Sequence, residues 1–325
     1  MDITLESLLA QTPGAMDDAS IAARHADAVI YPVFQAIVDH EGHVVCHEVL
    51  TRCKAGNNFI NPMALYEDAD CHGYAERLFE TILNAAMEKV GDEPLWVNVS
   101  TDLIMKPGFK RIIEDAAARH DYTLGKLNVE ITEEPCLAGN EALGRRIHEL
   151  KVGLGVRITQ DDFAPDEHSL DRLRHLPVDF IKTDRQMLLD AGKSEEGYER
   201  LKSFIAHCHE RGLPVTVEGI ETESDRRLCV SAGADYMQGF LFHRPSLESA
   251  TCTRPLPPVQ RGDYSPHFKW EPIKRPTIRV LHDSVEDESG GPDGPGGSLG
   301  SLFGAKRLTL MEAKPSPEAR RFFPT

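Results

Sequence analysis

No stretch of this 325-residue chain approaches the roughly 18 consecutive apolar residues that a membrane-spanning helix needs. The opening residues, Met1-Asp2-Ile3-Thr4-Leu5-Glu6, lack the basic start of a secretory signal. Cysteine supplies no framework either. The seven thiols are odd in number, scattered from Cys46 to Cys252, and contain no C-x-x-C pair. Such thiols are expected to stay reduced, and a cytoplasmic location is the expectation that follows. Basic residues are scarce: 36 Lys plus Arg stand against 52 Asp plus Glu, for a net charge of −16. A surface this negative repels polynucleotides and anionic lipid, so neither nucleic acid nor membrane is expected as a partner. A small phosphorylated ligand is not excluded, because a metal ion or a local cation can reverse the field inside one pocket.

What the chain does contain is a rhythm. Residues 28–39 and 44–50 are strand-like and joined by the turn His40-Glu41-Gly42-His43. Helical spacing runs over 65–90, and a strand over 95–100. A helix at 109–118, a strand at 127–132 and a helix at 141–151 follow. Next come a strand at 155–162, a helix at 169–175 and a strand at 178–184. A helix at 196–211, a strand at 214–220, a helix at 223–232 and a strand at 236–242 complete the series. Strands alternating with helices some eight times argue for an α/β fold, a (β/α)8 TIM-like barrel. The opening hairpin is the irregularity, since two strands joined by a tight turn cannot run parallel. A doubly wound open sheet is the competitor, and the lack of a glycine-rich phosphate loop after any strand counts against it. Three regions are expected: an N-terminal helix and linker over 1–27, the barrel over 28–250, and a Pro/Gly-rich, largely disordered tail over 251–325.

Charge sits where a buried strand should end in apolar residues. Toward the C-terminal end of successive strands stand Glu48, Asn98, Glu130, Asp161 with Asp162, Lys182 with Asp184, Glu218 and Gln238. On 127–132 the even positions Asn128, Glu130 and Thr132 share one face, and on 178–184 Phe180, Lys182 and Asp184 do the same. In a barrel one such face looks inward, so these groups converge at the mouth, where barrel enzymes keep their chemistry. Each has a dull explanation alone: Glu130 as a solvated strand end, Asp161-Asp162 as a turn, Lys182 as a structural ion-pair partner. Independent accidents would not favour the same end of so many strands. Several carboxylates, an amide oxygen and no histidine suit two hard cations, Mg²⁺ or Mn²⁺, rather than Zn²⁺. Adjacent carboxylates allow two ions about 3.5–4 Å apart, an arrangement that serves phosphoester hydrolysis.

These residues, in this order, resemble the EAL family of cyclic-di-GMP phosphodiesterases. The resemblance covers residues 28–245 and rests on Phe34-Gln35-Ala36-Ile37-Val38-Asp39, Glu48-Val49-Leu50 with Arg52, Asn98-Val99-Ser100 and Glu130-Ile131-Thr132-Glu133. It continues through Asp161-Asp162-Phe163, Lys182-Thr183-Asp184, Glu218-Gly219-Ile220-Glu221 and Gln238-Gly239-Phe240. It implies a barrel with an antiparallel first strand, a cyclic-di-GMP substrate and the linear product pGpG. The metal pair would be held by Glu48, Asn98, Glu130, Asp161 and Asp162. Lys182 and Glu218 would serve the attacking water. Gln35, Leu50, Arg52, Asp184 and Gln238 would contact the dinucleotide, and Glu133 would anchor the loop after Asp162. A homodimer is the implied assembly.

Three departures from the family pattern stand out, and the last of them, the loop, carries a second reading. Val49 replaces Ala, and Gln160 replaces a large aliphatic residue. The loop D-F-G-T-G-Y-S-S-L appears as Asp162-Phe163-Ala164-Pro165-Asp166-Glu167-His168-Ser169-Leu170, without its two glycines. A catalytically weak or inactive module that binds cyclic-di-GMP or a protein partner is therefore the alternative. His207-Cys208-His209 and Cys71-His72 are read as solvent-facing, because adjacent helical positions point about 100° apart and chelate one ion poorly.

Overall fold

Residues 29–55 form a hairpin with no helix between its strands, and the rest of the barrel closes around it. The computed structural model describes residues 3–9, 21–131, 141–163 and 176–250. In chain order the elements are β1 (Ile3–Thr4), α1 (Leu5–Leu9), α2 (Ile21–Arg24), β2 (Val29–Asp39), β3 (Val44–Ala55) and β4 (Asn58–Ile60). There follow α3 (Pro62–His72), α4 (Ala75–Val90), β5 (Leu95–Val99), α5 (Thr101–Met105), α6 (Phe109–His120), β6 (Leu127–Ile131), α7 (Glu141–Leu154) and β7 (Arg157–Phe163). The series ends with β8 (Phe180–Thr183), a helix Arg185–Ala191, a helix Glu195–His209, β9 (Val215–Val217), a helix Glu223–Ala232 and β10 (Tyr236–Gln238).

Eight strands close in the order β2-β10-β9-β8-β7-β6-β5-β3, with β3 returning to β2. Strand β2 is antiparallel to both neighbours, and every other pairing around the ring is parallel. The barrel with its antiparallel first strand is thus as the sequence indicated.

Two separate cores explain why every strand alternates. Val49, Val97, Val129, Ile131, Ile158, Ile181, Val215, Val217 and Met237 belong to the large cluster beneath the helices. Ile37, Cys46, Trp96 and Phe180 form a second cluster that plugs the barrel interior. Its rings meet at 5.2 Å for Trp96–Phe180 and 6.1 Å for Phe180–Tyr236. Period two then fixes the next inward position on each strand: two residues beyond Cys46, Trp96, Phe180 and Tyr236 stand Glu48, Asn98, Lys182 and Gln238.

Several expectations change. The helical stretch 65–90 is two helices, because Gly73 terminates α3 in a left-handed conformation, φ 77°. The strands expected to reach residues 220 and 242 stop at Val217 and Gln238, where the chain turns for the site. Cys208 faces the core rather than solvent, and all five described cysteines are free thiols. The N-terminal segment does more than link: β1 pairs with β2, and Leu5 and Leu8 are buried in the main core. No helix among the described residues is long and apolar enough to cross a membrane. The helix expected over 169–175, the loop 164–170, Glu133 and the tail 251–325 lie outside the described residues.

Candidate active site

Glu48 is the hub of the inward polar layer. Its Oε1 accepts from Asn98 Nδ2 at 2.7 Å and its Oε2 from Gln238 Nε2 at 2.6 Å. Both amides therefore turn their nitrogens to Glu48. Lys182, 1% exposed, projects its ammonium into the same layer. It stands 3.7 Å from Glu48, 3.3 Å from Glu130 and 3.2 Å from Asp161, and also contacts Glu218. Residues from β3, β5, β6, β7, β8, β10 and the turn after β9 thus meet around Glu48 and Lys182, although they span Glu48 to Gln238 in sequence.

Asp162 joins them by a local exception. Strict alternation would send it to the outer face with Ile158 and Gln160. Instead its φ is 49°, and the β7–β8 register shifts between Gln160 and Phe163. The bulge places consecutive aspartates on one side, and carboxylate oxygens of Asp161, Asp162 and Glu218 lie within 4.8 Å of one another. Aspartate tolerates the left-handed region better than most residues. Phe163, beyond the bulge, returns to the core and stacks on Phe204 at 5.6 Å.

The layer holds too little positive charge. Four buried or half-buried carboxylates, those of Glu48, Glu130, Asp161 and Glu218, share the single Lys182 ammonium. Burial, with Glu48, Asp161 and Glu218 adding repulsion, pushes the Glu130 carboxyl well above its usual range although Lys182 opposes the shift. Burial likewise raises Glu218 to about 8, with Asp161 and Glu48 contributing and Lys182 opposing. Asp162 rises through burial and the charge of Asp161. Glu48 goes the other way: burial would raise it, yet Lys182 and the two amide donors hold it low. Burial would lower Lys182, but the four carboxylates keep it well above the ordinary lysine value, hence protonated. Glu130 Oε1, Asp161 Oδ1 and Glu218 Oε1 are buried and have the shared Lys182 ammonium as their partner among the described residues. An all-oxygen, acid-rich set whose carboxylates share one ammonium fits one or two hard divalent cations.

The remaining expected residues occupy the surroundings. Gln35 lies opposite Glu48 across the hairpin, buried, and donates to the His243 carbonyl at 3.3 Å. Leu50 and Arg52 follow Glu48 on the same face of β3, both half-buried, and Arg52 Nη1 donates to the Thr51 carbonyl at 2.9 Å. Asp184 caps the helix Arg185–Ala191, accepting from Gln186 N at 2.9 Å, and its charge helps to raise Asp162. Sequence reading missed the support beneath. Thr159 donates to Asn128 at 2.9 Å under the carboxylates, and buried Gln160 ties the bulge to β6 by donating to the Ile131 carbonyl at 3.0 Å. The polar departure at Gln160 was the available signal for the second.

A second acidic group, Asp39, Glu41 and His43, sits on the β2–β3 turn. It is internally satisfied, since Asp39 Oδ1 accepts from the backbone of Glu41 and His43, each at 2.9 Å. That is turn chemistry.

Gly239 shows how tightly the rim is assembled. A Cβ there would overlap the Ile220 backbone, which is bonded to the β10 turn at 3.1 Å (Ile220 N to Gln238 O) and 3.0 Å (Leu241 N to Ile220 O). Gly239→Ala is expected to spread the turns carrying Glu218 and Gln238. It should lower the melting temperature and abolish divalent-ion binding by calorimetry; a variant binding ions like the parent would contradict this packing.

A family model described as EAL domain matches residues 20–245, more than half of the chain. Among curated proteins, the chain is 26% identical over 149 residues to the cyclic di-GMP phosphodiesterase PdeA of Borreliella burgdorferi, covering 46% of this chain and 22% of PdeA. It is 27% identical over 158 residues to the signaling protein YkoW of Bacillus subtilis, covering 49% of this chain and 20% of YkoW. The chain thus spans less than a third of the length of these relatives. Among solved structures, a PaMucR phosphodiesterase complexed with c-di-GMP superposes with a TM-score of 0.61 at 24% identity, covering 70% of this chain and 94% of that one. The FimX EAL domain of Pseudomonas aeruginosa, bound to c-di-GMP, gives 0.59 at 24% identity, covering 67% and 90%. Those likenesses establish the fold.

Proposed function

The chain belongs to the EAL domain family, and from that premise we propose that it hydrolyses cyclic-di-GMP to linear pGpG with the help of two divalent cations, Mg²⁺ or Mn²⁺. The observation that carries this reading is the buried, charge-deficient carboxylate layer around Lys182. Isolated buried carboxylates are costly, and a layer with one ammonium for four of them gains most from added cations. Glu48, Asn98, Glu130, Asp161 and Asp162 are the residues that would hold them. Bound there, the cations would supply charge neutralisation for a phosphoryl group and a more acidic water.

The chain's own residues divide the remaining work. Glu218, with a carboxyl near pH 8 before cations arrive, takes the proton of the attacking water. Lys182, held protonated, orients that water and neutralises charge as it develops. Gln35, Leu50, Arg52, Asp184 and Gln238 contact the dinucleotide, and Glu133 anchors the loop after Asp162. A homodimer is the proposed assembly. The changed loop at 164–168 favours a second reading, an adaptor that binds cyclic-di-GMP and turns it over poorly. Product assays with Mn²⁺ decide: pGpG formed by the wild type supports the enzyme, whereas binding without product supports the adaptor.

The same charge shortage sets a pH dependence. Between pH 4.5 and about 8, folded Glu218 keeps a proton that the unfolded carboxyl has released. Stability of the cation-free protein therefore falls as pH rises through that window, and raised Glu130 acts in the same direction. Glu48, shifted down, loses its contribution only below the ordinary carboxylate range, and Lys182, shifted up, only above the ordinary lysine range. Cations compete with the protons. The melting-temperature gain on adding Mg²⁺ is expected to be larger at pH 8 than at pH 6, by differential scanning fluorimetry. An equal or smaller gain at pH 8 would contradict the assignment.

A further inference from the structure

Glu218 stands just past the end of its ladder. Strand β9 has only three residues, and its last pairs join Val217 to Thr183 on one side and to Met237 on the other. On the β10 side the following turn is well anchored, through Ile220 N to Gln238 O at 3.1 Å. Asp225 Oδ2 accepts from Glu221 N at 3.1 Å and Thr222 N at 3.0 Å, at the start of the helix Glu223–Ala232. On the β8 side, among the described residues, Arg185 does the holding. The stem of Arg185 lies against Gly219, where a Cβ would come 2.9 Å from Arg185 Cδ and 3.1 Å from its Nε. Its guanidinium pairs with Glu221. Arg185 and Glu221 thus bracket Gly219, the residue after Glu218, whose φ of 76° is open to glycine at little cost.

We propose that Arg185 is a positioning residue for Glu218: its stem closes over Gly219 and its charge grips Glu221, fixing the carboxylate against Lys182. Two features favour this over an incidental surface pair. Arg185 is the first residue of its helix, where a cation opposes the helix dipole. The pair is also partly exposed, so its Coulomb energy contributes little and its value is geometric. Without Arg185 the glycine is free to swing, and among the described residues the contact with Lys182 is what orients Glu218 from the β8 side.

The inference rests on Glu218 serving the proposed hydrolysis, and the test separates the two. Arg185→Ala should lower kcat with cyclic-di-GMP by about tenfold, within the range known for small misplacements of reacting groups, while KM stays within about twofold. Arg185→Lys, which keeps stem and charge, should recover most of the loss. Independently of turnover, the NMR signal of the Lys182 ammonium in the cation-free protein should shift in Arg185→Ala and return toward the parent position in Arg185→Lys. An unmoved ammonium signal in Arg185→Ala would overturn the proposal. So would a lysine variant no better than alanine, or a raised KM at unchanged kcat, which would make Arg185 a substrate contact. Should the wild type form no pGpG, the hydrolytic reading falls, and the ammonium signal alone decides on Arg185.

Discussion

Glu48→Gln is expected to cut cyclic-di-GMP turnover by ~10²–10³-fold, the scale seen when one charge-stabilising group is removed from an active site. Glutamine has the same shape, so the barrel should remain intact, with a melting temperature a few degrees below the parent's. What changes is the bonding. The glutamate accepts from Asn98 at 2.7 Å and Gln238 at 2.6 Å, one donor to each oxygen, and faces Lys182 at 3.7 Å. A glutamine offers one acceptor oxygen and an NH₂ group, so one of the two amides loses its partner in a buried layer, at a cost of about 1–3 kcal/mol. Asn98 then has no reason to keep its nitrogen on residue 48 and its oxygen elsewhere. Product chromatography at saturating Mn²⁺ measures the effect. Turnover within threefold of wild type would remove Glu48 from the machinery.

Lys182→Met should produce the largest loss of stability, and its size depends on the solution. In the cation-free protein the substitution removes the single ammonium shared by Glu48, Glu130, Asp161 and Glu218. Breaking a buried ion pair from one side costs about 3–5 kcal/mol, because the partner charges remain buried. The carboxyls can protonate in response, so the loss should be smallest near pH 5 and grow toward pH 8. Added Mg²⁺ or Mn²⁺ should restore more stability to the variant than to the parent, since cations then supply all the compensation. Urea unfolding with and without Mg²⁺ checks this. A variant as stable as wild type in chelator at pH 8 would mean that the layer is not short of positive charge.

The barrel and most of this layer were legible in the sequence for one physical reason. Strands of period two, buried on both faces, leave little room for charge, so Glu130 between Val129 and Ile131, or Lys182 between Ile181 and Thr183, stands out. Convergence followed from topology, because parallel strands all end at the same rim. What was not legible depends on tertiary geometry. Nothing local announces that Asp162 adopts φ 49° and turns inward beside Asp161. The end of α3 at Gly73 was readable in principle, but the apolar spacing ran on into α4 and masked it. For Cys208, poor chelating geometry argued against a shared ion but did not say which of the three neighbouring side chains faces inward. Helical geometry places it inward with Leu201, Phe204 and Ile205. Arg185 over Gly219 is a contact between two turns, invisible until β8 and β9 are side by side.

Mn²⁺ bound to the protein, located by its anomalous X-ray scattering, is the most direct measurement. Two peaks within coordination distance of Glu48, Asn98, Glu130, Asp161 and Asp162, about 3.5–4 Å apart, are the expected result. Scattering confined to the Asp39–Glu41–His43 turn, or none at saturating Mn²⁺, would contradict it and leave a barrel whose buried acids serve some other end.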